Sequence, residues 1–458
     1  MEALQIRGGL PLRGSVVASG AKNAITKMLV ASLLSDKICT FYNVPNISEV
    51  NITLALCREI GMEVQWDRTE NKLTTITKKI ITSHIPQKFS GANRIPILLI
   101  GALLGRSNTE IIVPISGGCK IGKRPIDFHI AALEQLGVSI EYQITEGEKA
   151  YRATVSSRLV GTTIELPYPS VGATENSILA GCSAYGQTIV KNAAIEPEIL
   201  DLIGFLQKMG ASIHVASRTI YIEKMKKTRA VTHRVLTDRM EVACFGMAAI
   251  ATKGHIFVEG ADPTTLSFFL HQLEKIGAGF KIHSNGIEFF FRGGLRGGVH
   301  IETDVYPGFA TDWQQSFAVL LTQAKGHSVI HETVYENRFG YTQILQEMGA
   351  DLELFTECLG SKVCRFRADA HYHSLIIKGL TPLHGSIISI PDLRAGFAYI
   401  MAALLAPEES LISNLHYLDR GYENIDRKLS KLGANIKRIE SIQSSSIETS
   451  LISHIHSL

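Results

Sequence analysis

No run of apolar residues in this chain is long enough to cross a bilayer; Ile97–Leu104, for example, stops at Gly105-Arg106. The opening residues, Met1-Glu2-Ala3-Leu4-Gln5-Ile6-Arg7, lack the basic-then-apolar pattern of a signal peptide, so a soluble, cytoplasmic protein is expected. Cysteines are few: Cys39, Cys57, Cys119, Cys182, Cys244, Cys358 and Cys364. Their odd number, with neither a CxxC pair nor a His/Cys metal spacing, argues against a disulfide framework and gives no motif for a metal ion. Most sit in apolar runs such as Val242-Ala243-Cys244-Phe245, which predicts reduced, buried thiols. Aromatic residues make up 7%, and the formal charge of +3 is too small to argue for a nucleic-acid partner. The sixteen histidines include no HExxH pair, and His129, at the start of an apolar helix, reads as a structural residue.

What is present is repetition. A helix end followed by Gly and a strand recurs six times: Glu59-Ile60-Gly61-Met62, Gln135-Leu136-Gly137-Val138, Lys208-Met209-Gly210-Ala211, Lys275-Ile276-Gly277-Ala278, Glu347-Met348-Gly349-Ala350 and Lys431-Leu432-Gly433-Ala434. The glycine suits a left-handed helix terminus. Before each phrase stands a second helix rich in small and apolar residues, beginning near Ala21, Arg94, Ala173, Arg239, Asp312 and Leu393. Each of these leads into a strand: Cys39–Asn43, Glu110–Pro114, Thr188–Asn192, His255–Glu259, Ser328–Glu332 and Ser410–Asn414. Alternation in Ser212-Ile213-His214-Val215 and Thr219-Ile220-Tyr221-Ile222 predicts further strands after the glycine.

At 458 residues the chain is too long for one core. The last repeat runs out of strands after Ile436-Lys437-Arg438-Ile439, whereas the N-terminus has two to spare, Leu4–Arg7 and Gly14–Ala18. If both complete the last repeat, the chain closes on itself. The expected domains are then 22–236, and 237–440 together with 1–21, three repeats in each; 441–458 is a tail. A hinge with a cleft between the domains is the expected consequence.

Polar and charged residues gather at one end of the repeats. Lys22-Asn23, Asn93-Arg94, Ser170 with Thr174, Asp238-Arg239, Thr311-Asp312 and Asp392 with Arg394 begin the small-residue helices. Cys119 with Arg124, Glu196, Glu336-Asn337-Arg338 and Asp419-Arg420 stand in the strand-to-helix loops. Helix N-termini already suit anions, and the added cations predict anionic, phosphorylated substrates. Thr311 and Asp392 also fit ordinary helix caps, and an arginine beside a carboxylate can be a structural ion pair. The segment Gly117-Gly118-Cys119-Lys120-Ile121-Gly122-Lys123-Arg124 combines glycines with a thiol and three cations. Cations lower a thiol's pKa, so Cys119 is the candidate reactive cysteine. The segment does not fit GxxxxGK[ST].

Taken together, these residues resemble the enolpyruvyl transferase family. The resemblance rests on Ser19-Gly20-Ala21-Lys22-Asn23-Ala24, the Cys119 segment through Asp127, Ser170-Val171-Gly172-Ala173-Thr174-Glu175-Asn176 and Arg234-Val235-Leu236-Thr237-Asp238-Arg239. It continues through Thr311-Asp312, Thr333-Val334-Tyr335-Glu336-Asn337-Arg338, Asp392-Leu393-Arg394 and Asp419-Arg420-Gly421-Tyr422. It implies an α/β fold of two inside-out (α/β prism) domains, each of three repeated helix–strand units, with an interdomain cleft. The implied activity is transfer of an enolpyruvyl group from phosphoenolpyruvate to the 3-hydroxyl of UDP-N-acetylglucosamine, an early step in making peptidoglycan precursors. The alternative acceptor in the family is shikimate 3-phosphate, whose Gly-Ser-Lys-Ser start is absent here.

By the same resemblance Cys119 is the general acid and can form an adduct with phosphoenolpyruvate, and Asp312 is the base. Lys22 shares in catalysis, and with Asn23, Arg124, Arg338, Arg394 and Arg420 it forms the phosphoenolpyruvate site. The nucleotide-sugar site is implied to be Asn23, Arg94, Arg124, Pro125, Ile126, Asp127, Phe128, Tyr168, Pro169, Ser170, Val171, Gly172, Asp312 and Val334. No metal and no cofactor is implied, and partners other than the two substrates are expected only as a weak homo-oligomer, with neither nucleic acid nor membrane. One departure stands out: Ser48 occupies a position where the family often carries a lysine that touches phosphoenolpyruvate.

Overall fold

The computed structural model describes residues 2–440 except 108, 118–124, 362, 363, 365, 368 and 369. It divides into two compact bodies. The first comprises Ala18–Arg239 with Asp304–Gly308; the second comprises Met1–Val17, Met240–Thr303 and the chain from Phe309 onward. The tail 441–458 lies outside the described residues.

Each repeat is built alike. In the first, the helix Lys22–Ser32 precedes the strand Cys39–Tyr42, then the helix Ser48–Ile60 and the hairpin Glu63–Asp67 and Lys72–Ile76. The leading helices are the cores of the bodies. Ile95–Leu103 is buried at every residue, Val171–Gly181 from Ala173 on, and Leu393–Leu405 through Leu404. Ile95–Leu103 is apolar all round and has no face to show to water, whereas Val171–Gly181 also buries Thr174, Glu175, Asn176 and Ser177, which must find partners inside. Ile95–Leu103 packs on Val171–Gly181, and Gln314–Thr322 packs on Leu393–Leu405. Asn176 ties the first pair together: its Oδ1 accepts from Gly101 N at 3.1 Å and its Nδ2 donates to Ile97 O at 3.1 Å. A buried amide is tolerated when its groups find partners in this way.

The second helix of each repeat is amphipathic and ends at one of the six glycines. Their φ values are +112°, +92°, +120°, +77°, +99° and +94° for Gly61, Gly137, Gly210, Gly277, Gly349 and Gly433. In the left-handed region only glycine escapes a Cβ clash, so one residue type recurs at one place. At Gly61 the amide donates to Arg58 O and that of Met62 to Cys57 O, closing the helix while the chain turns into the next strand.

Among the described residues the strands form six small sheets. Within a repeat the strands are antiparallel, as in Cys39↔Thr75 and Val64↔Thr75. In five of the six sheets described the remaining edge is covered by a parallel strand from a neighbouring repeat, and in the second repeat it meets a single parallel bridge, His84 to Ile112. Thr163–Glu165, which follows the second repeat, pairs with Gln187–Lys191 of the third. Val231–Arg234, which follows the third, returns to Cys39–Tyr42 of the first. In the second body Ile387–Ser389 joins Glu409–Ser413, and His300–Glu302 joins Ala324–His331. The three repeats of each body thus form a ring with covered edges.

The N-terminal strands depart from expectation. Glu2–Arg7 does complete the sixth sheet, between Glu409–Ser413 and Asn435–Glu440. Arg13–Val17 does not; it lies parallel to His255–Glu259 in the fourth repeat, with Val16 opposite Val258. The ring explains the split, because the fourth sheet needs the strand that follows the sixth repeat, and that strand is the next stretch of the N-terminus. Three first strands stop at the same kind of residue, Asn43, Asn192 and Asn414, with φ of +62°, +52° and +61°. Asparagine tolerates that conformation better than most side chains.

Of the seven cysteines six fall among the described residues and all are free thiols; only Cys358 is not fully buried. Burial pushes Cys39, Cys57 and Cys182 up to about 12, so they are inert. No helix among the described residues is long and apolar enough to cross a membrane.

Candidate active site

In the second body the site is assembled from three segments. Asp312 lies in the turn Thr311–Trp313 that feeds the buried helix Gln314–Thr322. Arg338 lies in the loop after the strand Ala324–His331, and Arg394 is the second residue of the helix Leu393–Leu405. That helix is capped by Asp392, whose carboxylate accepts from the amides of Arg394 at 2.9 Å and Ala395 at 3.2 Å. Asp392 therefore has the cap role open to it from the sequence.

Asp312 is held at both oxygens. Arg338 Nη2 donates to Oδ1 at 2.7 Å, and Arg394 Nε donates to Oδ2 at 2.9 Å. The two arginine side chains are 2% and 5% exposed, whereas that of Asp312 is 25% exposed, so of the three it is Asp312 that meets solvent most. Buried charges are tolerated only when paired, and here one anion serves two cations. Burial disfavours the Arg338 cation, but Asp312, Asp392 and Glu332 outweigh it and raise its pKa above the ordinary value. Arg394 Nη1 also donates to the Tyr422 hydroxyl at 3.1 Å. Burial, with Cys244 adding to it, raises the Tyr422 phenol well above its usual range. Of the pairs suspected from sequence neighbours, Arg338 pairs with Asp312, and Asp419 takes a two-pronged bond from Arg438 at 3.0 and 2.8 Å.

Glu332 was not singled out by the sequence, yet it organises this corner. It is fully buried and accepts from Thr311 Oγ1 at 2.8 Å, Gln314 Nε2 at 2.9 Å, Val334 N at 2.8 Å and Tyr335 N at 3.0 Å. Burial raises its pKa, opposed by Arg338 and by these donors. The carboxylate fixes the Asp312 turn to the loop carrying Val334 and Arg338. The readable signal is an acid closing an apolar strand, just before Thr333-Val334-Tyr335.

The first body holds most of the residues matched to the nucleotide-sugar site. Arg94 Nη2 donates to Pro125 O at 3.4 Å, joining the start of the Ile95–Leu103 helix to the segment before the helix Asp127–Gln135. Ile126 and Phe128 pack on the core, and Asp127 is exposed in the first turn of its helix. His129 faces Gly172 so closely that a Cβ there would lie 2.8 Å from the imidazole. The structure thus brings Arg94, Pro125–Phe128 and Gly172 together. Ser170 caps the helix Val171–Gly181 by accepting from Ala173 N at 3.4 Å, and Ser170 N itself donates to Tyr168 O at 2.6 Å across Pro169. His129 is a neutral structural residue: burial first, then the Arg94 charge, pushes it down to about 3. Cys119 and Arg124 lie outside the described residues. Up to Gly117 the approach to their loop is pinned by Gly91 N to Ile115 O and by Gly117 N to Asn93 O.

Lys22 and Asn23 open the first buried helix, where Lys22 N donates to Asp238 Oδ2 at 3.3 Å. Lys27 Nζ, one turn on, donates to Asn23 O at 3.1 Å and lies 3.7 Å from the buried Glu175. Burial pushes Glu175 up to about 7, with Lys27 opposing and Glu196 and Glu198 adding to the rise. Ser48 begins the helix Ser48–Ile60. Asp312, Val334, Arg338, Arg394 and Arg420 belong to the second body; the other described candidates belong to the first.

Two rings of helix-cored sheets, with a carboxylate clamped by buried guanidiniums, define a two-body α/β protein of the enolpyruvyl transferase fold. Its backbone superposes on the enolpyruvyl transferase NikO from Streptomyces tendae with a TM-score of 0.83 and 23% identity, covering 96% of this chain and 99% of that one. The chain belongs to the EPSP synthase (3-phosphoshikimate 1-carboxyvinyltransferase) family, whose model matches residues 6–429. Among its relatives, the UDP-N-acetylglucosamine 1-carboxyvinyltransferase of Protochlamydia amoebophila is 62% identical over 96% of this chain and 95% of its own length. The protein of the same name from Chlamydia abortus is 53% identical over 95% and 98%.

Proposed function

We propose that this chain transfers the enolpyruvyl group of phosphoenolpyruvate to the 3-hydroxyl of UDP-N-acetylglucosamine, releasing phosphate, in the cytoplasm. The observation that carries the reading is the Asp312 carboxylate, fixed at both oxygens on a side chain that is one-quarter exposed. The names of the close relatives support the choice of acceptor.

The mechanism is an addition followed by an elimination. The sugar 3-oxygen bonds to the central carbon of phosphoenolpyruvate while its proton passes to Asp312. Cys119 gives a proton to the methylene carbon, which becomes a methyl group. The methyl group then returns a proton, the carbon–oxygen bond to phosphate breaks, and the enolpyruvyl ether forms. A carboxylate oriented in advance accepts the proton without first having to find its geometry. Arg338 and Arg394 orient Asp312, and an incoming phosphate or carboxylate would compete with it for their N–H groups. Lys22, Asn23, Arg124 and Arg420 supply the remaining contacts to phosphoenolpyruvate. Arg94, Pro125–Phe128 and Tyr168–Gly172 hold the nucleotide sugar with Asn23, Arg124, Asp312 and Val334. The body of Ala18–Arg239 with Asp304–Gly308, and the body of 2–17, Met240–Thr303 and 309–440, act as the two catalytic domains. The testing experiment is phosphate release from phosphoenolpyruvate with each acceptor in turn. Release that depends on UDP-N-acetylglucosamine is expected; release with shikimate 3-phosphate instead would overturn the assignment.

A further inference from the structure

In the second body four side chains that the proposed reaction does not use converge: His331, Cys358, Cys364 and His373, with one donor atom of each lying within 4.8 Å of every other. His331 ends the strand Ala324–His331, and His373 stands just before the strand Ser374–Gly379. The two cysteines come from the connection between Asp351–Phe355 and that last strand. We propose that these four residues bind one zinc ion as a closed, tetrahedral, structural site.

Four observations carry this. The donor set is two thiols and two imidazoles, a combination that suits zinc. Its spread, within 4.8 Å, needs an inward shift of at most about 1–1.4 Å to reach the separation of about 3.4–3.8 Å that tetrahedral bonds of about 2.0–2.3 Å require. His331 is fully buried; among the described residues its Nε2 has no hydrogen-bond partner and its Nδ1 meets only Glu302 Oε2, at 3.5 Å, an arrangement that buried polar groups rarely sustain without a ligand. His373 is already oriented: its Nδ1 faces His371 O at 2.7 Å, which leaves Nε2 toward Cys358 Sγ at 3.3 Å. A carbonyl behind a histidine in this way fixes its tautomer for a metal.

The surroundings fit a clamp. Glu302 lies 3.5 Å from His331 Nδ1 and accepts from both the amide and the hydroxyl of Ser361, so it anchors the connection beside the cluster. Gly360 crosses directly over His331; a Cβ there would lie 2.1 Å from the ring. Phe366 N donates to Cys364 Sγ at 3.3 Å, a contact that favours the thiolate a metal needs. On binding, each thiol gives its proton to solvent, and two thiolates cancel the charge of the ion, so no net charge is buried. The clamp also adjoins the candidate active site. Glu332 follows His331 directly, and its amide donates to His373 O at 2.8 Å, so an ion here would fix the strand end that carries Glu332.

The test uses the full-length chain, purified under reducing conditions without chelator. Elemental analysis should give about one zinc per chain. After chelation, added Co²⁺ should develop thiolate charge-transfer and tetrahedral ligand-field bands that one equivalent of Zn²⁺ removes. The Cys358→Ser/Cys364→Ser double variant should bind zinc at least about 100-fold more weakly. Should that variant not fold, the cobalt spectrum of the unaltered chain still decides the question. A folded, reduced chain that carries no zinc and gives no cobalt bands would overturn the proposal. So would a Cys358–Cys364 disulfide found by intact mass in the metal-free protein.

Discussion

Two buried groups in the first body should pull its stability in opposite directions as pH changes, and a single substitution should expose the balance. Glu175, held by burial at about 7, keeps its proton in the folded chain where the unfolded chain, with a value near 4.5, has lost it. Between those values unfolding releases a proton, so stability falls as the pH rises. His129 does the reverse. Its folded value is about 3 against 6.5 unfolded, so between them unfolding takes up a proton and stability falls as the pH falls. Each slope is about 1.4 kcal/mol per pH unit, and over the shared window they nearly cancel. Glu175→Gln removes one of them. The stability of the variant relative to its parent should therefore climb by about 3 kcal/mol between pH 4.5 and 7. His129→Gln should show the opposite trend, gaining on its parent as the pH falls from 6.5. The chain has two tryptophans, Trp66 in the first body and Trp313 in the second. Urea unfolding followed by Trp66 fluorescence, in a Trp313→Phe background, reads the relevant body alone. A variant-to-parent difference that stays flat across the window would mean that Glu175 is ionised throughout, paired with Lys27, and the reasoning would fail.

Other expectations concern the site and the fold. Asp312→Asn should lower turnover about 100-fold or more, because an amide cannot take the hydroxyl proton; near-normal steady-state rates would remove Asp312 from that role. Cys119 should be alkylated by an epoxide phosphonate such as fosfomycin, with the adduct seen by intact mass and absent from Cys119→Ser. Labelling of another residue would contradict its assignment as the reactive thiol. Gly433→Ala should cost about 1–2 kcal/mol in urea unfolding, since φ is +94° and the new Cβ meets little else. Gly210→Ala should cost more, because its Cβ would lie 2.3 Å from Lys227 O; equal losses would refute the steric argument.

Much of the fold is legible because it is written six times. The terminal glycines are each forced by a backbone that excludes a Cβ, and the buried helices announce themselves by small and apolar residues. The partner of Arg13–Val17 was not legible, since a parallel pairing across some 240 residues leaves no local pattern. At the site, Asp312, Arg338 and Arg394 could be named from motifs, but their mutual pairing could not. Nothing in the sequence distinguishes a guanidinium waiting for phosphate from one already occupied by a carboxylate. Glu332 escaped notice because its partners are backbone amides and side chains from two segments. The histidine–cysteine cluster escaped for a related reason. Its ligands come from strand ends and an irregular connection, and their spacing matches no familiar metal motif.

The proposed reaction is an addition to phosphoenolpyruvate followed by an elimination, with UDP-N-acetylglucosamine as acceptor. Proton magnetic resonance of the reaction run in deuterium oxide tests both parts together. One phosphate released per enolpyruvyl ether of UDP-N-acetylglucosamine is expected, with deuterium in the vinyl methylene group, because that carbon passes through a methyl group. An ether whose vinyl protons all derive from phosphoenolpyruvate, or phosphate release with no ether formed, would contradict it.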